Sequence, residues 1–412
     1  MDGESDTGAW RTLLACGFRA FFLAAALWAA IALALWIAML LAGLQLPSRL
    51  APLDWHIHEM LFGFVPAAMA GFLLTAISNW TGRRPVSGAL LALLLSLWLV
   101  GRVDELLCAL WPVWLAIAAD LAFPLALTAV VAGEIIASRN RRNYRMIVPV
   151  AMITLAQLLM DLGAEGGATA LTGYGWRLGL VAILILISVV GGRIVPSFTR
   201  NWLVTRGATR LPPAAGPLDQ VSLAALHAAL TTWAFFPSAR LTSVALLAGA
   251  ALNLWRVLRW RGAATRSEAL LLVLHVGYAW LVAGVATLGV AILDPAFPLD
   301  AAIHSLTAGA IGTMILAVMT RVSRGHTGRT LRADVATVFI YVLVVLAAAA
   351  RIAAALAPAA WEELLLTAAA LWVGAFGLFA VRYGPLLLRH RSVPDEVPAA
   401  PMGVRGPASS AH

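Results

Sequence analysis

An all-α polytopic membrane protein is the fold class that this sequence predicts, and three observations carry the prediction. The 412 residues are 61% hydrophobic and only 12% charged. Apolar runs of about twenty residues, the length a helix needs to cross a bilayer, recur along most of the chain. Strand-like alternation of the outer-membrane barrel kind is absent, and lipid leaves only helices or closed barrels as ways to satisfy the backbone.

Twelve spans are expected, near residues 19–44, 55–78, 87–103, 112–137, 146–162, 174–195, 218–237, 239–258, 268–291, 298–320, 333–357 and 362–384. With the N-terminus in the cytoplasm, the cytoplasmic loops collect arginine, from Arg83 and Arg84 through Arg139, Arg141, Arg142 and Arg145 to Arg321, Arg324, Arg329 and Arg332. The opposite loops hold mostly Asp54, Asp104, Glu105, Asp161, Glu165, Asp294, Asp300, Glu362 and Glu363, with Arg49, Arg102 and Arg240 as minorities. That is a positive-inside pattern, and it places both termini in the cytoplasm.

The formal charge of +9 belongs to these short loops, with no long basic tract or aromatic stacking segment, so nucleic acid is not an expected partner. The sequence has no lysine, which reads as genomic bias. Cys16 and Cys108 form neither a disulfide framework nor a CxxC site, and reduced, structural thiols are expected. From the acidic start "MDGESDTGAW" no cleavable signal peptide is expected, and no lipidation is expected either. A single membrane domain is expected over 1–391, followed by a disordered cytoplasmic tail, 392–412, rich in proline and small residues.

Internal repetition is visible. "TGR" follows 23 residues after His58, at Thr81–Arg83, and again 23 residues after His304, at Thr327–Arg329. A glycine stands five residues after each of these histidines, Gly63 and Gly309. A related segment, "GGRIVPSFTRNW", ends the sixth span without a histidine at its start. Second, sixth and tenth spans are four apart, so three four-helix units are expected, over 1–137, 138–260 and 261–391.

Six of the eight histidines fall within or beside the spans. His56, His58 and His304 form an outer layer near the periplasmic ends of the second and tenth spans. His227 and His275 form an inner layer about 10 to 14 Å from the cytoplasmic side by helix rise. Imidazoles drawn from separate membrane helices point to a metal or a haem. Residues two apart on a helix point about 200° from each other. Either the helix begins after His58 and the pair chelates one ion, or the rings of His56 and His58 serve two centres. An interfacial or hydrogen-bonded histidine is the structural alternative at each position. His58 and Glu59 can also be a ligand and the neighbour that orients it. Asp120, about 12 Å down the fourth span, suits proton relay or pairing with an arginine. Arg177, Arg193 and Arg351 suit a carboxylate such as a haem propionate, or plain snorkelling to the interface.

Taken together, "CGFRAFFLAAALWA" (16–29), "WHIHEMLFGFVPAAMAGFLLTAISNWTGRRP" (55–85), "GGRIVPSFT" (191–199) and "HSLTAGAIGTMILAVMTRVSRGHTGR" (304–329) resemble the NnrS family of bacterial membrane proteins. The resemblance runs from the first span to the last. It implies a haem- and copper-containing protein of the cytoplasmic membrane, linked to the response to nitric oxide and nitrosative stress, without implying a settled reaction. A second likeness, to the catalytic subunit of haem-copper oxidases and nitric oxide reductases, is architectural: twelve helices in three arcs, with histidines on helices 2 and 10. The adjacent histidine pair that those enzymes place on helix 7 is missing, and only His227 stands there.

From the resemblance follows a set of expectations. The protein holds haem b, and copper as a second metal. It binds or turns over nitric oxide in the bacterial inner membrane, as an oxidoreductase or as a shield for other iron centres. His58 and His304 pair across one haem near the periplasmic side, and His56 serves a second metal at the edge. The competing expectation is a copper or small-solute transporter that uses the same histidines. No electron-donor site is legible.

Overall fold

The computed structural model describes residues 3–139 and 141–389, which are helical in almost every segment and contain no strand. The expected disordered tail lies outside the described residues. After a short N-terminal helix, Gly3–Leu13, come twelve long helices. They are α1 (Gly17–Leu41), α2 (Pro52–Thr81), α3 (Gly88–Leu107), α4 (Val113–Ala137), α5 (Ile147–Ala164) and α6 (Thr169–Val204) in the first half. The second half holds α7 (Pro217–Phe235), α8 (Arg240–Leu258), α9 (Ala269–Leu293), α10 (Leu299–His326), α11 (Val335–Leu356) and α12 (Trp361–Leu388).

Among the described residues, ten candidate spans are long and apolar enough to cross a bilayer, which makes the chain a multi-pass membrane protein. The remaining two helices, α3 and α7, carry their charged residues near one end, Arg102, Asp104 and Glu105 in α3 and Asp219 in α7. The longest helix, α6, has 36 residues. At 1.5 Å per residue it is about 54 Å long, well beyond the hydrocarbon core of about 30 Å, so it overruns the expected 174–195 at both ends. Large apolar residues such as Leu93, Leu125, Leu241 and Val381 remain exposed on the outer faces, where lipid replaces water.

Helices adjacent in sequence pack against one another, and the last closes on the first. The Trp372 indole donates to the Ala29 carbonyl at 3.0 Å. Arg19 of α1 donates to the terminal carbonyls of α12 at Leu387 (2.8 Å), Leu386 and Arg389 (both 3.2 Å). It thereby satisfies acceptors that the helix end leaves orphaned. In the second half, Arg256 of α8 joins three neighbours. It donates to Asp219 (2.7 Å), the Tyr278 hydroxyl (2.8 Å) and the Gly192 carbonyl (3.2 Å). Both cysteines are free thiols.

Helices α2, α6 and α10 meet around a small cavity of about 90 Å³ with apolar walls, among them Ala68, Val190 and Met314. The likeness between α2 and α10 seen in sequence has a structural counterpart. Each begins as an α-helix, widens into a π-helix directly after its histidine (Glu59–Phe64 and Ser305–Gly312), and then resumes. In α2, Pro66 follows at once; it has no N–H to give and crowds the carbonyl four residues back, which the wider register relieves. Glycine at 63 and 309 lets large groups approach the widened turns. A β-carbon on Gly309 would lie 2.8 Å from the Trp280 ring, and one on Gly63 would collide with Trp28, Glu59 and Arg102.

On the arginine-rich side Asp334 caps α11 and gathers two neighbours. It accepts from the Thr337 N–H (2.9 Å) and hydroxyl (2.6 Å), Arg324 (3.3 Å) and Arg382 (2.7 Å). Burial alone would raise its carboxyl, but the Thr337 hydrogen bonds and Arg382 outweigh burial and hold it well below the usual carboxylate range. A depressed carboxyl stabilises the fold above its unfolded value of about 3.9 and loses that contribution as the pH falls through the folded value. Asp334→Asn is therefore expected to lower the apparent melting temperature in detergent at pH 7. The gap to wild type should close as the pH is taken below about 4.

Candidate functional site

Helices α2 to α5 bring a set of charged side chains together at their acidic ends, inside the protein. α2 starts well for this purpose: Pro52 sits in its first turn, where no N–H is needed, and Asp54 faces the positive end of the helix dipole. The Trp55 indole then ties α2 to α3 by donating to the Glu105 carbonyl at 3.1 Å. Trp98 donates to the Gly63 carbonyl at 2.9 Å, a second bond from α3 onto the π stretch.

At the centre stands His58, wholly buried. Its Nδ1 lies 3.3 Å from Glu59 Oε1. Its Nε2 faces Asp120 Oδ2 at 3.1 Å, Asp161 Oδ1 at 3.2 Å and Glu105 Oε1 at 3.6 Å. Arg102 lies beside them, donating to Glu59 Oε1 and, at 2.7 Å, to Asp120 Oδ1. The Trp28 indole completes Glu59, and Gln157 donates to Asp120 Oδ2. Four carboxylates, one imidazole and one guanidinium thus share a site closed to solvent. His58, Glu105, Asp120 and Asp161 are spaced so that one donor atom from each can hold a metal ion, and Asp104, Glu105 and Glu165 form an adjoining group. Toward the surface, Arg49 pairs with Glu165 at 3.5 Å. Glu165 lies just past the end of α5, and burial pushes its carboxyl up.

A second feature lies across α2 from this cluster. A cavity of about 820 Å³ opens between α1, α2, α10, α11 and α12, touching α6 at Trp176 and Leu180. Its walls are mostly apolar, with His56, His304, Asp300 and Arg351 as the polar exceptions besides Asp54 and Thr307. The His56 ring stacks on Trp36 with centroids 4.0 Å apart, and its Nδ1 is buried without a hydrogen-bond partner. His304 Nδ1 lies 2.8 Å from the Asp300 carbonyl, which leaves Nε2 for another partner. Arg351 holds Asp300 at 3.0 Å through one nitrogen, while its other terminal nitrogen is buried and unpartnered.

The expected facing of His58 and His304 across one haem is not the arrangement found. Residues 52–58 are already α-helical, so His56 and His58 diverge. His56 joins His304 on the cavity wall, and His58 turns to the carboxylates, which leave no room for a porphyrin against its Nε2. His58, Glu59 and Asp120 do come together, and Arg351 does reach the cavity. Arg177 does not: it donates to the Ala234 carbonyl at 3.0 Å and lies over Tyr174 and Trp176. Arg193 sits on an exposed part of α6, away from both features. The inner histidines are each hydrogen-bonded across helices, His227 to Ser188 at 2.7 Å and His275 to Thr199 at 2.8 Å. Neither belongs to a group of metal-ligand residues among those described.

Sequence reasoning missed Arg102, Glu105, Gln157 and Asp161. It read the charged ones as loop residues because they stand at span ends. One signal was available: Arg102 is one of few arginines on the acidic side and stands next to Asp104 and Glu105, a residue that needs partners.

Removing Arg102 would leave Glu59 and Asp120 buried without their counter-charge, a loss of about 3–5 kcal/mol. Arg102→Ala is expected to reduce the yield of folded protein sharply and to lower the melting temperature of what remains, measured by size exclusion and thermal unfolding in detergent.

Comparison with known proteins adds one match. The family described as NnrS protein matches residues 12–391, nearly the whole chain. No curated protein matches the chain.

Proposed function

Because the chain belongs to the NnrS family, we propose that it is a haem protein of the bacterial cytoplasmic membrane that binds nitric oxide and serves the response to that gas. The observation that supports this most is the outer cavity, with two histidines from separate helices on an otherwise apolar wall. Its size lies within the range of cofactor sites. Bound haem would supply an iron that takes a diatomic ligand and changes redox state, with its potential tuned by axial ligation and burial.

In this reading the chain's own side chains hold and shield the haem. His304 is oriented by the Asp300 carbonyl, a contact that fixes the tautomer and turns Nε2 outward. Trp36 fixes the His56 plane by stacking. Arg351 has a spare donor for a propionate. The remaining walls, from Leu33, Phe64, Ile311 and Trp372, exclude water, while an apolar gas reaches them through lipid. With the arginine-rich loops in the cytoplasm, both termini are cytoplasmic and the cavity opens near the periplasmic side. Removal of nitric oxide by turnover, which would protect the cell against nitrosative stress, needs an electron donor from outside the chain.

Copper is the second reading, and Met60 favours it. It lines the same cavity as His56 and His304, and a thioether with two imidazoles suits cuprous ion. A transporter would use those residues for capture.

The test is an absorption spectrum of the purified protein, oxidised and reduced, with and without nitric oxide, alongside metal analysis. A b-type haem that shifts on adding the gas is expected. His304→Ala and His56→Ala should each remove or shift the haem band, whereas His227→Ala should leave it unchanged. A colourless protein holding stoichiometric copper would overturn the haem reading in favour of the second.

A further inference from the structure

The cluster around His58 has a chemistry that the haem cavity does not use. We propose that His58, Glu105, Asp120 and Asp161 bind one divalent cation of the manganese, iron(II) or zinc class, at a centre separate from the cavity.

Geometry carries the first part of the argument. His58 Nε2 stands 3.1, 3.2 and 3.6 Å from one oxygen of Asp120, Asp161 and Glu105, and one donor atom from each residue lies within 4.8 Å of all the others. Around an ion with bonds of about 2.1 Å, neighbouring donors sit about 3.0–3.4 Å apart and opposite ones about 4.2 Å apart. The donor atoms therefore already have the spacing of a coordination shell.

The unpartnered atoms supply the second part. Both carboxylate oxygens of Glu105 and both of Asp161 are buried with no hydrogen-bond donor, and His58 Nε2 is likewise unsatisfied. Polar atoms buried in this way are costly and rare. Arg102 does not answer them, since it is engaged by Glu59 and Asp120. Glu59 Oε1 lies 3.3 Å from His58 Nδ1. With the Nδ1 proton directed there, the Nε2 lone pair points at three carboxylates, an arrangement that a cation between them turns from repulsion to ligation. A carboxylate behind a ligating imidazole is the usual outer partner of a metal-bound histidine.

Donor type sets the class of ion. Three carboxylates and one imidazole are hard to borderline donors, with no thiolate or thioether for cuprous ion, and the imidazole disfavours magnesium and calcium. With all four carboxylates ionised, Arg102 offsets one charge and a dication two more. The adjoining Asp104 and Glu165, which share Glu105 with the centre, lead outward to Arg49 at the protein surface and offer a route for the ion.

The experiment uses the full chain in detergent. Manganese, zinc and non-haem iron, the last as total iron less the haem iron read from absorption, are counted per chain in wild type, Asp161→Asn, Glu105→Gln and His304→Ala, with size exclusion as the check on folding. Wild type and His304→Ala should hold about one equivalent, and the two carboxylate variants about tenfold less or lower. Should those variants fail to fold, chelated wild-type protein is titrated with Mn²⁺ and followed by electron paramagnetic resonance and melting temperature. Uptake of one equivalent with a raised melting temperature supports the centre, and Glu59→Gln should weaken that uptake about 10–100-fold at unchanged stoichiometry. Wild-type protein that neither contains nor takes up any of the three ions overturns the proposal, and so does retention of the metal by folded Asp161→Asn and Glu105→Gln. Because His304→Ala spares this centre, loss of haem and loss of the dication are told apart.

Discussion

Charge placed where water cannot reach it must find its counterpart inside the protein. Here that constraint is met at Arg102, which lies between Glu59 of α2 and Asp120 of α4. The requirement organises the first half of the bundle. It sets which face α3 turns inward, it keeps residue 63 a glycine so that the guanidinium can reach the widened turn of α2, and it recruits Trp28 and Gln157 to complete the two carboxylates. The second half solves the same problem at smaller scale with Arg256, Asp219 and Tyr278. In both, an arginine is the piece that makes a polar interior compatible with a surrounding of lipid.

The twelve helices were legible in the sequence because apolar runs and arginine-rich loops report directly on lipid exposure. Their inward directions were not. Hydropathy gives depth along a span and no rotation about it, so Glu105 and Asp161, each at a span end, read as loop acids although they point inward. His56 and His58 were legible as a pair needing a rule, and helical geometry allowed two outcomes. The α-helical start of α2 decides between them. The π stretches had no sequence signal beyond Pro66 and the recurrent glycines, since hydropathy does not report the helical register.

His227 and His275 show the opposite case. Their residue type and depth suggested ligation, and the structure gives each a hydroxyl partner on α6. Those hydroxyls occupy the Nε2 atoms, while His275 Nδ1 stays buried without a partner. Nearer the acidic ends, His56 and His58 each keep a buried nitrogen without a hydrogen-bond partner, and His304 commits only Nδ1, toward Asp300. All three stand at the acidic ends of α2 and α10, directly before or one turn before the helix widens. The cavity and the carboxylate cluster thereby lie back to back on one short piece of α2.

Every residue of the carboxylate cluster lies within the first 165 positions, whereas the cavity needs α10, α11 and α12. Chains are made from the N-terminus, and α3 carries too much charge to be a stable lipid-facing helix alone. The counter-charges that α3 needs stand on α2 and α4, both made before the later helices. The cavity, by contrast, sets His56 of this early part beside His304 of α10. The last helix seals the ring through Arg19 and Trp372, so the cavity is complete only once α12 is in place.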